Sequence, residues 1–593
     1  MIDRRQLLTV VAGTGIGTPV FHRALTGLLQ EEVPNTRPEV TAEMVQTAEW
    51  ISGTDFSEEE RQAIAKSVNR SMRDWDKLRS QSLGFEDLPA LHFQPLSGVP
   101  RQAYSVQRSV NPIESATVDL PSSDEDIAFL PVAELASLIR RKKISSVELT
   151  KLYLRRLEKY NSLLNCVVTM TDDLAMKQAK QADREISAGR YRGPLHGIPW
   201  GAKDLIAVPG YPTTWGIPQF ENRELPYTAT VARRLQEAGA VLVAKLSLGA
   251  IAMGDRWFRG MTRSPWNYQM GSSGSSAGSA SATVAGLVGF SLGSETLGSI
   301  ISPARRCGAT GHRPTFGRVS RAGCMPLSWS MDKIGPITRN VEDCALVFAA
   351  IHGYDGLDPT AHSWPFHWPS QRDFSGLKIG YTPQRRGRRS AENDSDESNG
   401  TPARADLEIL SQMGCELVEV QLPEEQTEWV LANTIDVEAA SVFDEMLRKG
   451  ETAGWNTWPG TFREAQFISA IDYFRIQRRR RQLQHKFEEV FKELDFMVNC
   501  NDLLITNLTG HPSVVIPVDY REAGGIKIPV SSLITGHLND DDRLLAFARA
   551  YQQRVTAHLE RPPLDEMMSK KAAKEAMPKE NPNDNLPTQG SDN

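Results

Sequence analysis

Apolar residues recur every three to four positions through EEERQAIAKSVNRSMRDWDKLRSQ (58–81), where Ile64, Val68, Met72 and Trp75 form one stripe. That spacing predicts an amphipathic helix, and Ser57 with Glu60 three residues on gives it a capping box. The segment from Ile127 to about Asn161 predicts two further amphipathic helices joined at Lys143-Ile144-Ser145, with Ser145 as cap and Glu148 as its partner. The pattern then changes. CVVTMT (166–171) and AVLVAKLSL (240–248) are short, nearly continuous apolar runs of the kind that make buried strands. Helical patterns separate and follow them: AMKQAKQADREISAG (175–189), ending on Gly189, then TVARRLQEAGA (230–240), and later ADLEILSQMGCELVEVQLP (405–423) as helix then strand. Helices alternating with short strands predict an α/β fold.

The chain divides by composition. Residues 31–125 are expected to be an appended helical extension that runs into a Pro/Ser-rich stretch, and 126–565 the main domain. Within it, 384–401 (RRGRRSAENDSDESNG at its centre) is a charged, low-complexity surface insertion. The last stretch, 566–593, rich in Lys, Glu, Pro and Asn, is expected to be a disordered tail. Arg4-Arg5 followed by a mildly apolar, Gly-containing run predicts a twin-arginine export signal over 1–30 and a periplasmic protein, the alternative being a cytoplasmic one. GTGIG inside that run lacks the strand, helix and acidic residue of a dinucleotide loop.

Net charge of -6 gives no electrostatic reason to expect nucleic acid as a partner, and RRRR at 478–481 sits in a helical pattern where a solvated face accounts for it. No apolar run reaches the roughly 18 residues of a membrane-spanning helix. The six cysteines form no C-x-x-C pair and no H-E-x-x-H is present, so neither a metal nor another cofactor is expected.

The candidate chemistry lies in two segments. Gly271–Gly311 is packed with Ser and Gly, yet Val284, Leu287, Val288, Phe290 and Leu292 interrupt it, so it is a buried, tightly turning backbone and not a linker. Upstream, GPLHGIPWGAKDLIAVPG (193–210) sets Lys203 in apolar, Gly/Pro-rich surroundings. Serines on tight turns with a desolvated lysine are the parts of a serine nucleophile and a lysine base. A sharp turn at Gly298-Ser299 can also aim several N–H groups into one cavity as an oxyanion hole.

These segments resemble the amidase signature family, which includes fatty acid amide hydrolase and the amidase-like component of glutamyl-tRNA(Gln) amidotransferase. LHGIPWGAKD, SGSSAGSA, LGSETLGSI, GHRPTFGRVSRAG and MDKIGPITRNVEDCA carry the resemblance across about 127–355, and it resumes at 507–517 and 544–563. It implies one large mixed β-sheet flanked by helices, and an amidase that cleaves a carboxylic amide C–N bond in a small-molecule substrate. It further implies Ser299 as nucleophile, Ser275 as bridging serine on a cis peptide, and Lys203 as base. Thr296, Leu297, Gly298 and Ser299 would supply the oxyanion N–H groups, Ser276 would support Lys203, and a homodimer would be a common assembly.

The chain departs from the family pattern at Leu297 and Ala277, where glycine is usual, at Ile301, where arginine is usual, and at Glu295, where aspartate is usual. Arg305 or Arg306 is then the expected partner of Glu295. Two other readings stand beside the amidase. A component of a transamidation complex would carry a YDGxRYG-like segment, which is missing, and a non-catalytic binding protein would have no need of Lys203, Ser275 and Ser299 together. Two G-x-S-x-G matches, 274–278 and 289–293, would need a strand before them and His511 or His558 as triad histidine. The Trp-containing segment Met253–Asn267 fits either a pocket wall or core packing.

Overall fold

The computed structural model describes residues 39–81, 91, 108–110, 118–369, 373–382, 403–424, 429–500 and 502–576. The Arg4-Arg5 pair, residues 384–401 and residues 577–593 lie outside them. Compactness divides the chain within one helix, into Met1–Arg73 and Asp74–Asn593. In the first unit, Ala42–Ser52 and the start of Glu58–Ser80 are helical. Glu49 accepts both arms of the Arg61 guanidinium at 2.9 Å, and Asn69 closes on both backbone groups of Val40. Ser57 and Glu60 form the capping box that their spacing predicts.

The second unit is built on an eleven-stranded mixed sheet. Its spatial order is Glu416–Glu419, Lys378–Tyr381, Phe496–Val498, Ile526–Thr535, Ser513–Ala523, Thr310–Arg313, Lys333–Thr338, Phe290–Glu295, Pro199–Lys203, Val241–Leu246 and Val167–Met170. The strands Phe290–Glu295, Pro199–Lys203 and Val241–Leu246 run parallel, so their carboxyl ends emerge together. Lys333–Thr338 lies antiparallel to Phe290–Glu295, with Lys333 opposite Glu295. Loops at the carboxyl ends of neighbouring parallel strands are where α/β sheets place their sites.

Helices cover both the sheet and its ends. Both helices predicted after Ile127 are present, Val132–Arg140 and Ser146–Leu164, the second opened by the Ser145/Glu148 capping box, and a short helix, Asp124–Ala128, precedes them. The expected strands appear as Val167–Met170 and Val241–Leu246, with the helix Asp172–Ser187 between them and Thr230–Glu237 before the second. Leu157, Leu164, Val243, Leu246, Leu287 and Val288 lie in one apolar cluster that also takes in Leu564 and Met567.

That last contact corrects the expected disorder for 566–576, the part of the tail within the described residues. Leu564–Ala576 is a helix, held by Leu564 and Met567 in the core, by Asp565 against Lys159 and Tyr160, and by Lys571 on the Ser162 carbonyl. Its polar composition hid two apolar anchors one turn apart. The arginine run is not wholly a solvated face either: Arg480 is buried and donates to the carbonyls of Leu508 and Ser330. Among the described residues no helix is long and apolar enough to cross a membrane.

Candidate active site

The Ser/Gly stretch folds as a buried helix, a strand and a turn. Ala277–Val284 is helical with every residue buried, which is sterically possible because its side chains are small. A Cβ on Gly278 would sit 2.5 Å from the Cys166 carbonyl oxygen and from the Ser247 nitrogen. Its hydroxyls are satisfied internally: Ser279 donates to the Leu292 carbonyl, Ser281 to the Arg263 carbonyl, and Thr283 pairs with Ser291. Hydroxyls bonded in this way make a helix dense in serine compatible with a dry core.

Before this helix, the Gly274–Ser275 peptide is cis. A Cβ on Gly274 would lie 1.8 Å from the Gly254 carbonyl oxygen, so only glycine fits between the two backbones. Lys203 reaches this segment from the end of the neighbouring strand Pro199–Lys203. Its Nζ donates to Ser275 Oγ at 2.8 Å, Ser276 Oγ at 3.0 Å, Ser294 Oγ at 2.9 Å and the Ser294 carbonyl at 3.2 Å. Ser276 Oγ in turn donates to the Ser294 carbonyl and accepts from the Ser294 N–H, both at 3.1 Å. Asp204 anchors the chain just after Lys203 through a buried ion pair with Lys245 at 2.7 Å and through Thr214.

Lys203 is fully buried, and among the described residues no carboxylate bonds it. Burial pushes its pKa down from the usual 10.5 to about 7, against the opposing pull of the more distant Asp332 and Glu295 charges. Near neutral pH a large share of this amine is therefore unprotonated, with a lone pair available for a proton.

Ser299 sits on the turn that leaves the strand Phe290–Glu295 and enters the helix Ile301–Cys307. Its carbonyl accepts from the Ser276 N–H at 3.1 Å, which ties the two serine segments together. Its hydroxyl makes no hydrogen bond among the described residues, and Lys203 bonds Ser275 rather than Ser299. Gly298 is left-handed at φ 82°. Among the described residues, the N–H groups of Thr296, Leu297, Gly298 and Ser299 have no protein acceptor. Successive unbonded N–H groups beside a left-handed residue are the kind of backbone that can cradle an anion.

Glu295 clamps the base of this turn. One carboxylate oxygen accepts from the N–H groups of Ile300 and Ile301 at 2.8 and 2.9 Å, and the other from Arg313 at 2.9 Å and Asn507 at 2.8 Å. Burial alone would raise its pKa, but Arg313, Lys333 and the backbone donors outweigh that and hold it at about 2. The partner expected from sequence, Arg305 or Arg306, is thus replaced by Arg313 from the strand on the far side of Lys333–Thr338, a contact between residues 18 apart that linear spacing does not reveal. Ile301 packs with Ile300, Ala304 and Leu533 in an apolar cluster, whereas Leu297 is partly exposed.

Other candidates fall elsewhere. Ser291 is locked inside its strand by Ser279 and Thr283. The His511 ring faces Thr509 and Glu488, and neither His511 nor His558 bonds a serine of the stretch. Trp257 and Trp266 are core residues, Trp266 donating to the Cys307 carbonyl. Among the described residues no three His, Cys, Asp or Glu side chains converge as a metal site. Sequence reasoning missed Ser294 and Asp332. Ser294 follows from strand alternation beside Lys203, and Asp332 from the antiparallel register that sets Lys333 opposite Glu295.

A fold of this kind with a buried amine among serines defines a class, and comparison with known proteins agrees on it. The amidase family model matches residues 148–501, more than half the chain. The chain belongs to the amidase family, whose members are hydrolases acting on amide C–N bonds. It is similar to a component of the glutamyl-tRNA(Gln) amidotransferase of Marinomonas sp. (strain MWYL1), 30% identical over 485 residues that cover 73% of this chain and 98% of that one. Among solved structures it is similar to the native peptide amidase from Stenotrophomonas maltophilia, with TM-score 0.62, 27% identity, and coverage of 73% of this chain and 98% of that one. It is also similar to an amidase family protein from Bacillus anthracis str. Ames, with TM-score 0.65, 25% identity, and coverage of 74% and 93%.

Proposed function

We propose that this amidase works through an acyl-enzyme on Ser299, with Ser275 as proton bridge and Lys203 as base. The observation that carries the reading is the fully buried Lys203 amine, bonded to Ser275 at 2.8 Å and with its pKa lowered to about 7. Ser299 Oγ attacks the substrate carbonyl carbon as its proton passes to Ser275 and the Ser275 proton passes to Lys203. The carbonyl oxygen takes up negative charge, which the free N–H groups of Thr296, Leu297, Gly298 and Ser299 stabilise. Lys203 then returns the proton through Ser275 to the departing nitrogen, and the C–N bond breaks. Water attacks the acyl-enzyme along the same proton path, giving the carboxylic acid and free Ser299. The hydrogen bond from Ser299 to Ser275 forms as substrate fills the turn, since catalytic contacts commonly close only in the complex. Ser276 and Ser294 hold Lys203 in place.

A panel of small acyl, aryl and peptide amides tests this. Wild-type protein should release amine, and Ser299→Ala and Lys203→Ala should each lose at least about a thousandfold in rate. Equal turnover by Ser299→Ala would sink the assignment. The amidotransferase relatives favour a second reading, in which the amide is glutamine and the product is ammonia. Ammonia release from glutamine exceeding release from every other amide would support that reading.

A further inference from the structure

We propose that Asp332 is the positioning residue of the catalytic turn, acting through the hydroxyl of Thr296. The proposal rests on the acyl-enzyme reading above. Thr296 begins the run of unbonded N–H groups, and its carbonyl shares a peptide plane with the Leu297 N–H, so holding Thr296 fixes the direction of that N–H and the point from which the turn departs. Asp332 Oδ1 accepts from Thr296 Oγ1 at 2.6 Å. The carbonyl of the same residue receives the Lys333 amine at 3.5 Å. Consecutive residues thus grip Thr296 by its hydroxyl and its carbonyl, from the strand that pairs with the one carrying the turn.

Asp332 is itself fixed. Its second oxygen accepts from the N–H groups of Leu327 and Ser328 at 2.8 and 3.0 Å. Ser328 Oγ donates to Glu438 at 2.7 Å, and Glu438 also takes the Ser330 hydroxyl at 2.7 Å and the Tyr473 hydroxyl at 2.8 Å. Arg480 completes the support, donating to both the hydroxyl and the carbonyl of Ser330. Asp332, Glu438 and Arg480 are all at least nine-tenths buried, and each is bonded on more than one side. Arg480 also holds the Leu508 carbonyl, in the helix Leu503–Thr509 that supplies Asn507 to Glu295. The two consecutive residues that open the turn, Glu295 and Thr296, are therefore braced by one polar network. A buried network in which each charged side chain is bonded on more than one side rigidifies the segment it holds. Oxyanion donors gain their effect from being aimed in advance, and misplacement by an ångström costs about a hundredfold.

The test uses full-length protein and a fluorophosphonate probe, measuring the limiting inactivation rate separately from probe affinity, with the melting temperature of each variant. Thr296→Val keeps shape and removes the hydroxyl; Thr296→Ser restores it. Thr296→Val and Asp332→Asn should each lower the limiting rate about 10- to 100-fold with probe affinity within about threefold. Thr296→Ser should recover most of the rate, and the double variant should be no slower than the worse single variant. A limiting rate in Thr296→Val equal to wild type at equal melting temperature would overturn the proposal, as would fully multiplicative losses in the double variant. Labelling that persists in Ser299→Ala would instead overturn the acyl-enzyme reading, so the two failures are distinct.

Discussion

Protonating Lys203 should switch off acylation, and the structure fixes where and in which direction. The amine is fully buried, and desolvation lowers its pKa to about 7. A base must be neutral to accept a proton, so the rate should be level above pH 7 and fall tenfold for each pH step below it. At pH 5, about one amine in a hundred is neutral, which predicts about a hundredfold loss. Two buried carboxylates, Asp332 and Glu295, oppose the desolvation and hold the value up. Removing the negative charge in Asp332→Asn should therefore move the acidic limb to lower pH, whatever happens to the plateau height. The assay is the limiting rate of Ser299 phosphonylation from pH 5 to pH 9, with melting temperatures recorded at each pH to exclude unfolding. A flat profile across that range, or an acidic limb that shifts upward in Asp332→Asn, would refute the assignment of Lys203 as base.

The same burial has a consequence for stability. Between pH 7 and 10.5 the unfolded chain holds a proton on Lys203 that the folded chain has released, so this group makes stability rise with pH across that window. The gap from 10.5 to about 7 corresponds to at most about 5 kcal/mol at about 1.4 kcal/mol per tenfold. Urea unfolding should show wild type gaining on Lys203→Met as pH rises from 7 to 10.5, and a constant difference would contradict a neutral buried amine. Arg313→Met should cost about 3–5 kcal/mol in the same assay, because Glu295 would be left charged and buried; a loss below about 1 kcal/mol would show that the clamp does not depend on the ion pair. Gly274→Ala should cost about 3 kcal/mol, since its Cβ would meet the Gly254 carbonyl oxygen at 1.8 Å. An unchanged melting temperature there would mean the two backbones separate freely.

Much of the fold was legible because its elements declare themselves locally. The Ser145/Glu148 box, the strands at 167–170 and 241–246, and the helix between them follow from spacing and apolar runs. Lys203 and the serines of the glycine-dense stretch stand out because polar residues in apolar surroundings need a reason to be there, and the family resemblance singles out Ser275, Ser276 and Ser299 among them. What stayed hidden is what depends on sheet order. Arg313 reaches Glu295 because the sheet places their strands on either side of Lys333–Thr338, and Asp332 meets Thr296 because Lys333 pairs with Glu295. Ser294 bonds Lys203 because their two strands run parallel. The terminal helix was missed for a related reason: Leu564 and Met567 matter only once a distant apolar cluster exists to receive them.

The central claim is that Ser299 becomes covalently acylated with Lys203 as its base. Its most direct measurement is intact and peptide mass after treatment with a fluorophosphonate at pH 8, for wild type, Ser299→Ala and Lys203→Ala. The account predicts one adduct per chain on the Ser299 peptide in wild type, none in Ser299→Ala, and strongly slowed formation in Lys203→Ala. An adduct on another serine, or equal labelling in Ser299→Ala, would contradict it.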